Sequence, residues 1–178
     1  VKRAALAGRC RDLLGALAGP VLVAEAGHGW LATALAAEGC AVVAAPPLAV
    51  ADWDPPATPV RGAVLSFLGF AGGPAERQAR LAVLRRRLRA GAPLVLVDHN
   101  QPRRLVRRLG AAVGLLVRGM PPRRARYPVA REAQALGFVV RRLRFAAGER
   151  VQLVRVDVPE PAGGGDAPSA PQVVHASR

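Results

Sequence analysis

The chain is poor in most of the residue types that announce a chemistry. Its 178 residues include two cysteines, three histidines, one methionine and one tyrosine, and aromatic side chains make up only 4%. Cys10 and Cys40 stand 30 positions apart, without the short paired spacings of zinc ligands, and read as two reduced thiols. His28, His99 and His175 are scattered, with no HxxxH spacing, so the sequence offers no metal site. Long hydrophobic runs are missing too: a stretch such as 39–51, "GCAVVAAPPLAVA", falls short of the ~18 residues that a membrane-spanning helix needs. Near the start, Arg9, Arg11 and Asp12 break the apolar segment that a secretory signal requires. Together these features point to a cytoplasmic protein with no membrane partner. The shortage of aromatics also argues against an RNA-binding sheet that stacks bases on exposed rings.

What the chain has in excess is arginine. Against 12 acidic residues stand 26 basic ones, of which only Lys2 is lysine, giving a formal charge of +14. Such a surface attracts polyanions and gains from counterion release. Arginine accompanied by so much alanine, glycine and proline is also what GC-rich codons produce, which weakens the charge as a guide to function. The clusters at Arg103, Arg104, Arg107 and Arg108, and at Arg118, Arg123, Arg124, Arg126 and Arg131 around Tyr127, are where phosphates would be gripped. Solvated helix and loop faces are the alternative reading of the same charges.

The length suits one domain with a single substantial core. Leucines at 6, 13, 14 and 17 predict an amphipathic helix over 4–18, followed by the strand "VLVAE" at 21–25. An Ala- and Leu-rich helix over 29–38 ends at Gly39, and "CAVVAA" at 40–45 is a second strand. Five prolines make 46–61 a loop. A strand from Gly62 follows, then a helix bearing Leu81, Leu84 and Leu88 on one face and ending at Gly91, then the buried strand "APLVLVDH" at 92–99. A helix over 102–119 carries Leu105, Val106, Leu109, Val113, Leu116 and Val117 at helical spacing, the pattern of a face turned to a core. A short helix over 129–136 leads into a hairpin of "FVVRRLRF" and "RVQLVRV" joined at "AAGE". Alternating strands and helices predict an α/β domain over 1–157 with a mostly parallel sheet, and 158–178, rich in Pro, Gly and Ala, reads as a disordered tail.

Two stretches carry candidate site residues. In "VLVAEAGHGWLAT" at 21–33 an apolar strand stops at Glu25 and passes through Gly27, His28 and Gly29 into a helix. A glycine turn at the carboxyl end of a strand lets backbone approach a ligand, although a plain strand-to-helix turn has the same residues. In "DHNQPRR" at 98–104, Asp98, His99 and Asn100 end another strand on the same side and are placed to orient a nucleophile or take its proton. A helix-capping turn is the alternative there. Trp30 lies at the mouth of the first turn, and Trp53 either stacks on a ligand ring or covers an apolar edge.

The order of elements, with "RLAVLRRRLRAGAPLVLVDH" at 80–99 and "AREAQALGFVV" at 130–140, resembles the class I S-adenosylmethionine-dependent methyltransferases. The first segment is similar to that family's "R.LRPGG.LVLVD" and the second to its "L..AGF.V". The resemblance covers roughly 4–156. It implies a three-layer Rossmann-like fold with a C-terminal antiparallel hairpin, S-adenosylmethionine as cofactor, and an acceptor that is a small molecule or RNA. Catalytic residues would be Asp98, His99 and Asn100; cofactor-binding residues would be Glu25, Gly27, His28, Gly29 and Asp52.

Two registers fit the family's [DE]xGxGxG motif. In one, Glu25 is the acid, Gly27 and Gly29 are the first two glycines, and Leu31 takes the third place; in the other, Gly27 and Gly29 are the last two glycines and Val23 stands at the acid. Pro46 occupies the position of the family's second acid, with Asp52 or Asp54 in "ADWDPP" as replacement. Those departures, with the short 46–61 loop, support a second reading: a methyltransferase fold without catalysis that serves as a binding or scaffold module, with RNA or another polyanion as partner of its arginine clusters.

Overall fold

In the computed structural model, which describes residues 3–160 apart from 28, 123–125 and 127, the apolar runs of the sequence assemble into one six-stranded sheet. The elements in chain order are α1 (Arg3–Leu14), β1 (Val21–Glu25), α2 (Trp30–Ala37), β2 (Val42–Ala44), β3 (Gly62–Ser66), α3 (Pro74–Arg87), β4 (Pro93–His99), α4 (Leu105–Leu116), α5 (Val129–Ala135), β5 (Val139–Ala146) and β6 (Val151–Asp157). The sheet order is β2-β1-β3-β4-β6-β5. β1 pairs in parallel with β2 and β3, β3 pairs in parallel with β4, and β6 runs antiparallel to both β4 and β5. The expected α/β architecture, mostly parallel and closed by an antiparallel last strand, is therefore present.

Strand alternation sorts the core into two layers. Val21, Val23, Val64, Val95 and Val97 face α1 and α2, where they meet Leu6, Cys10, Leu13, Leu31 and Leu35. Leu22, Ala24, Leu65, Leu94 and Leu96 face the other way, toward Leu81 and Leu84 of α3 and Val129 and Ala133 of α5. β1, β3 and almost all of β4 are buried along their length, which explains their unbroken apolar sequence. Gly62 opens β3 because a Cβ there would stand 2.9 Å from the Pro93 carbonyl oxygen and 2.9 Å from Leu17 Cδ1.

The loop over 46–61 leaves β2 as the edge strand and is tied down by two side chains. Arg80 of α3 donates to the carbonyls of Leu48, Val50 and Ala51 at 3.3, 2.6 and 3.1 Å. Trp53 is buried in the α3-side core, and its indole N–H donates to the Pro46 carbonyl at 2.9 Å. Of the two readings of Trp53, the structure gives the covered apolar edge.

α4 departs from expectation. Its stripe of Leu105, Val106, Leu109, Val113, Leu116 and Val117 faces solvent, with exposures from 58% to 82%, while only Ala111 and Leu115 are buried. Small residues make up most of the inward side, so the helix lies against the body with Leu115 as the one large apolar side chain it buries among the described residues. Arg103 and Arg104 precede α4, which begins at Leu105, so the cluster of Arg103, Arg104, Arg107 and Arg108 is divided between a turn and the helix. Val158 is buried and exchanges backbone hydrogen bonds with Gly91 and Ala92; the stretch from 161 onward, where the tail was expected, lies outside the described residues.

A candidate ligand cleft at the carboxyl ends of the strands

From β1 the chain crosses through α2 to β2 on one side, and β3 lies on the other side of β1. The carboxyl ends of β1 and β3 therefore flank the topological switch point, where open α/β sheets form a crevice. The last residues of these strands, Glu25 and Ser66, are in register with one another. By strand alternation both side chains fall on the α1/α2 face.

Glu25 ends β1, and the 26–29 turn carries the chain into α2, the arrangement of the register in which Glu25 is the motif acid. Its Oε1 accepts from the backbone N–H groups of Leu31 and Ala32 at 3.0 and 3.4 Å, so one carboxylate oxygen caps the first turn of α2. Its Oε2 is buried with no hydrogen-bond partner among the described residues, and the same holds for Ser66 Oγ. Buried oxygens of neighbouring strands without partners are costly, at about 1–3 kcal/mol each, unless a ligand satisfies them. Gly29 is the N-cap of α2 with φ of 73°, a left-handed conformation that glycine adopts without strain. A Cβ at Gly27 or Gly29 would meet no atom within 4 Å, so the turn borders open space. Leu31, at the third motif position, is fully buried between α2 and the sheet, filling the helix–sheet gap that a glycine would narrow. His28 lies outside the described residues. Asp52 is exposed on the 46–61 loop with no hydrogen bond or ion pair among the described residues, so no contact joins it to the glycine turn.

Alternation along β4 separates the other three candidates. Asp98 points to the α3/α5 side, where it is fully buried and ion-paired to Arg77 at 2.7 Å; Arg77 also holds Glu132 of α5 at 3.0 Å and lies over the Phe67 ring. Expected beside an acceptor, Asp98 is instead a core charge, because residues one apart on a strand face opposite layers. His99 points to the α1/α2 side and lines the cavity described next. Asn100 serves the backbone: its side chain donates to the Glu149 carbonyl at 2.7 Å, and its N–H to the Arg150 carbonyl at 2.8 Å. It thereby clamps the β5–β6 turn, in which Ala147 and Glu149 hold left-handed φ of 51° and 70°. Such strain in non-glycine residues persists only where neighbours fix it.

A cavity of ≈420 Å³ opens above the strand ends between Trp30, Leu68–Gly69 after β3, His99, and the β5–β6 turn. That volume lies in the ~300–1,000 Å³ range of small-molecule sites. Arg3, Arg118 and Arg150 also line it. Sequence reasoning passed over Ser66, whose signal was a lone hydroxyl closing an apolar strand, and over Arg3 and Arg150, which come together only through tertiary structure.

No protein-family model and no curated sequence matches the chain. Among solved structures, it is similar to human N-acetylserotonin methyltransferase in complex with SAM (TM-score 0.61, 11% identity, 89% of this chain and 52% of that one). It is similar to the pyocyanin biosynthetic protein PhzM (TM-score 0.63, 14% identity, 87% and 54%). It is also similar to the glycopeptide N-methyltransferase MtfA complexed with S-adenosyl-L-homocysteine (TM-score 0.60, 17% identity, 89% and 91%). The chain thus spans about half the length of the first two and nine-tenths of the third. At these identities the likeness establishes the fold, which is that of the class I methyltransferases.

Proposed function

We propose that the chain binds S-adenosylmethionine at the β1–α2 turn and transfers its methyl group to an acceptor held in the adjoining cavity. The observation that carries this reading is the pair of buried oxygens without a partner among the described residues, Glu25 Oε2 and Ser66 Oγ, at the switch point of a methyltransferase fold. An ammonium group is the natural partner of Glu25 Oε2, because a charge-assisted hydrogen bond offsets the carboxylate's burial. Gly27 and Gly29 let the turn backbone approach the same group. The fit is good at this amino acid end and poorer at the ribose, where Pro46 has no side-chain acceptor and its carbonyl is engaged by Trp53.

When bound, the cofactor supplies a methyl group on a sulfonium that already leaves readily, so the chain's own contribution is positioning. Glu25 Oε1 keeps the turn in place by capping α2, and Asn100 fixes the hairpin turn that forms the far wall. His99 lines the cavity, and in this reading it is the group that would take a proton from the acceptor. Calorimetric titration with S-adenosylhomocysteine tests the reading: saturable binding that Glu25→Gln weakens by tenfold or more, ~1.4 kcal/mol, supports it, and no heat at millimolar ligand removes it.

The buried Trp53 and the pinned 46–61 loop favour a second reading, a fold that retains the cleft but has lost methyl transfer and acts as a binding module. It predicts that Glu25→Ala leaves cellular function intact. Methyl transfer to any acceptor by the purified chain contradicts it.

A further inference from the structure

Resting on that reading, the ≈420 Å³ cavity also reveals which kind of acceptor it suits. Arginines from three separate elements line it: Arg3 from the start of α1, Arg118 from just past the end of α4, and Arg150 from the β5–β6 turn. No carboxylate lines the cavity, and none of the three arginines forms an ion pair among the described residues. Only Arg11, Arg77, Arg87, Arg141 and Arg155 have an acidic partner among the described residues, so what sets these three apart from the other unpaired arginines is that they line one cavity.

Their geometry is held in place. Arg3 lies over the Trp30 ring at 5.7 Å, a cation–π distance. Arg118 donates to the Gly114 carbonyl at 2.6 Å, which ties one nitrogen of its fork to the end of α4 and leaves the others for a ligand. Arg150 sits on the turn that Asn100 clamps, and Glu149 beside it is turned toward the Arg103 backbone N–H at 3.1 Å, away from any role as its counter-charge. His99, Arg118 and Arg150 also line a smaller adjoining cavity, so the charged wall continues past one chamber. The rest of the lining is largely apolar, with Leu6, Leu68, Met120 and the Trp30 ring among it.

We infer that the acceptor is a small, flat or apolar molecule bearing an anionic group, a carboxylate or a phosphate, which Arg118 and Arg150 receive while its ring lies against Trp30 and Met120. An arginine fork matches either oxyanion with paired hydrogen bonds, and a partly enclosed cavity strengthens each of them. The concave shape and limited volume suit a small molecule better than a nucleic-acid strand, whose backbone would need an open groove.

The test uses three probes of one shape, 4-hydroxybenzoate, 4-hydroxyphenyl phosphate and 4-hydroxybenzamide, titrated by ligand-observed NMR into the whole chain with and without S-adenosylhomocysteine. At least one anion should bind tenfold or more tightly than the amide, and which anion wins separates carboxylate from phosphate. Arg118→Gln and Arg150→Gln should each reduce that preference at least threefold, and the double variant should remove it, while the affinity for S-adenosylhomocysteine stays within twofold. Equal binding of all three probes, or a preference that survives the double variant, overturns the inference. If the anion preference appears while S-adenosylhomocysteine fails to bind, the anion site stands and the methyltransferase reading falls. If S-adenosylhomocysteine binds without an anion preference, the reverse holds.

Discussion

Replacing Arg77 by methionine tests whether the charge at the centre of the α3-side core is structural. Its guanidinium stands 2.7 Å from Asp98 Oδ2 and 3.0 Å from Glu132 Oε2, with side-chain exposures of 0% for Arg77 and Asp98 and 8% for Glu132. Methionine keeps most of the stem's packing but leaves two buried carboxylates without a cation. Breaking a buried ion pair in this way costs about 3–5 kcal/mol, a large share of the ~5–15 kcal/mol that holds a domain together. At roughly 2–4 °C per kcal/mol for a chain of this size, the melting temperature should fall by roughly 6–20 °C. Thermal melts followed by circular dichroism, with urea titrations to check that the slope is unchanged, measure it. Adding Asp98→Asn to Arg77→Met should recover part of the loss, since it removes one of the two uncompensated charges. Arg11→Gln, which breaks an exposed pair with Glu38, should cost under ~1 kcal/mol. If Arg77→Met melts within about 2 °C of the parent, the buried network contributes nothing and Asp98 is available for another role.

Further outcomes follow from burial. Cys10 has its thiol pushed up to about 12 from 9.0, mainly by burial and secondarily by Cys40. Its thiolate is disfavoured in the fold, so its contribution to stability is full below pH ~9 and is lost at up to about 1.4 kcal/mol per pH unit as pH rises through the folded value. A thiol reagent at neutral pH should modify half-buried Cys40 faster than Cys10, and both equally once urea unfolds the chain; equal rates in the folded chain would contradict this. On α4, Val113→Glu and Leu116→Glu, at positions 58% and 59% exposed, should change stability by under ~0.5 kcal/mol and lower light scattering at high concentration. Leu115→Ala, at a buried position, should cost about 2–5 kcal/mol. If the glutamates destabilise as much as that alanine does, the apolar face of α4 is not free in solution.

The sheet was legible because β1, β3 and β4 are buried on both faces and so carry unbroken apolar runs between glycines. The turn after β1 was legible from Glu25, Gly27 and Gly29, since a strand that ends on an acid and two glycines leaves few alternatives. What sequence could not supply was direction. The α4 pattern specifies an amphipathic helix, but nothing in a periodicity says which way its stripe points, and Gly110, Ala111 and Gly114 proved small enough to lie against the body instead. Asp98 shows a related limit: in sequence it stands in one cluster with His99 and Asn100, whereas pleating sends it to the opposite layer, against Arg77. A signal was present in α3, where Arg77 falls in phase with Leu81, Leu84 and Leu88 on the buried face and therefore calls for an acidic partner in the core. The convergence of Arg3, Arg118 and Arg150 has no local trace, because residues that distant in sequence meet only through the order of the strands.

A crystal structure of the chain grown with S-adenosylhomocysteine tests the central claim most directly. Density is expected at the switch point between β1 and β3, with the ligand's ammonium within hydrogen-bond distance of Glu25 Oε2 and its amino acid end against Gly27–Gly29. A ligand bound elsewhere, or a switch point still without density at millimolar ligand while Glu25 stays buried and capped on α2, would contradict it.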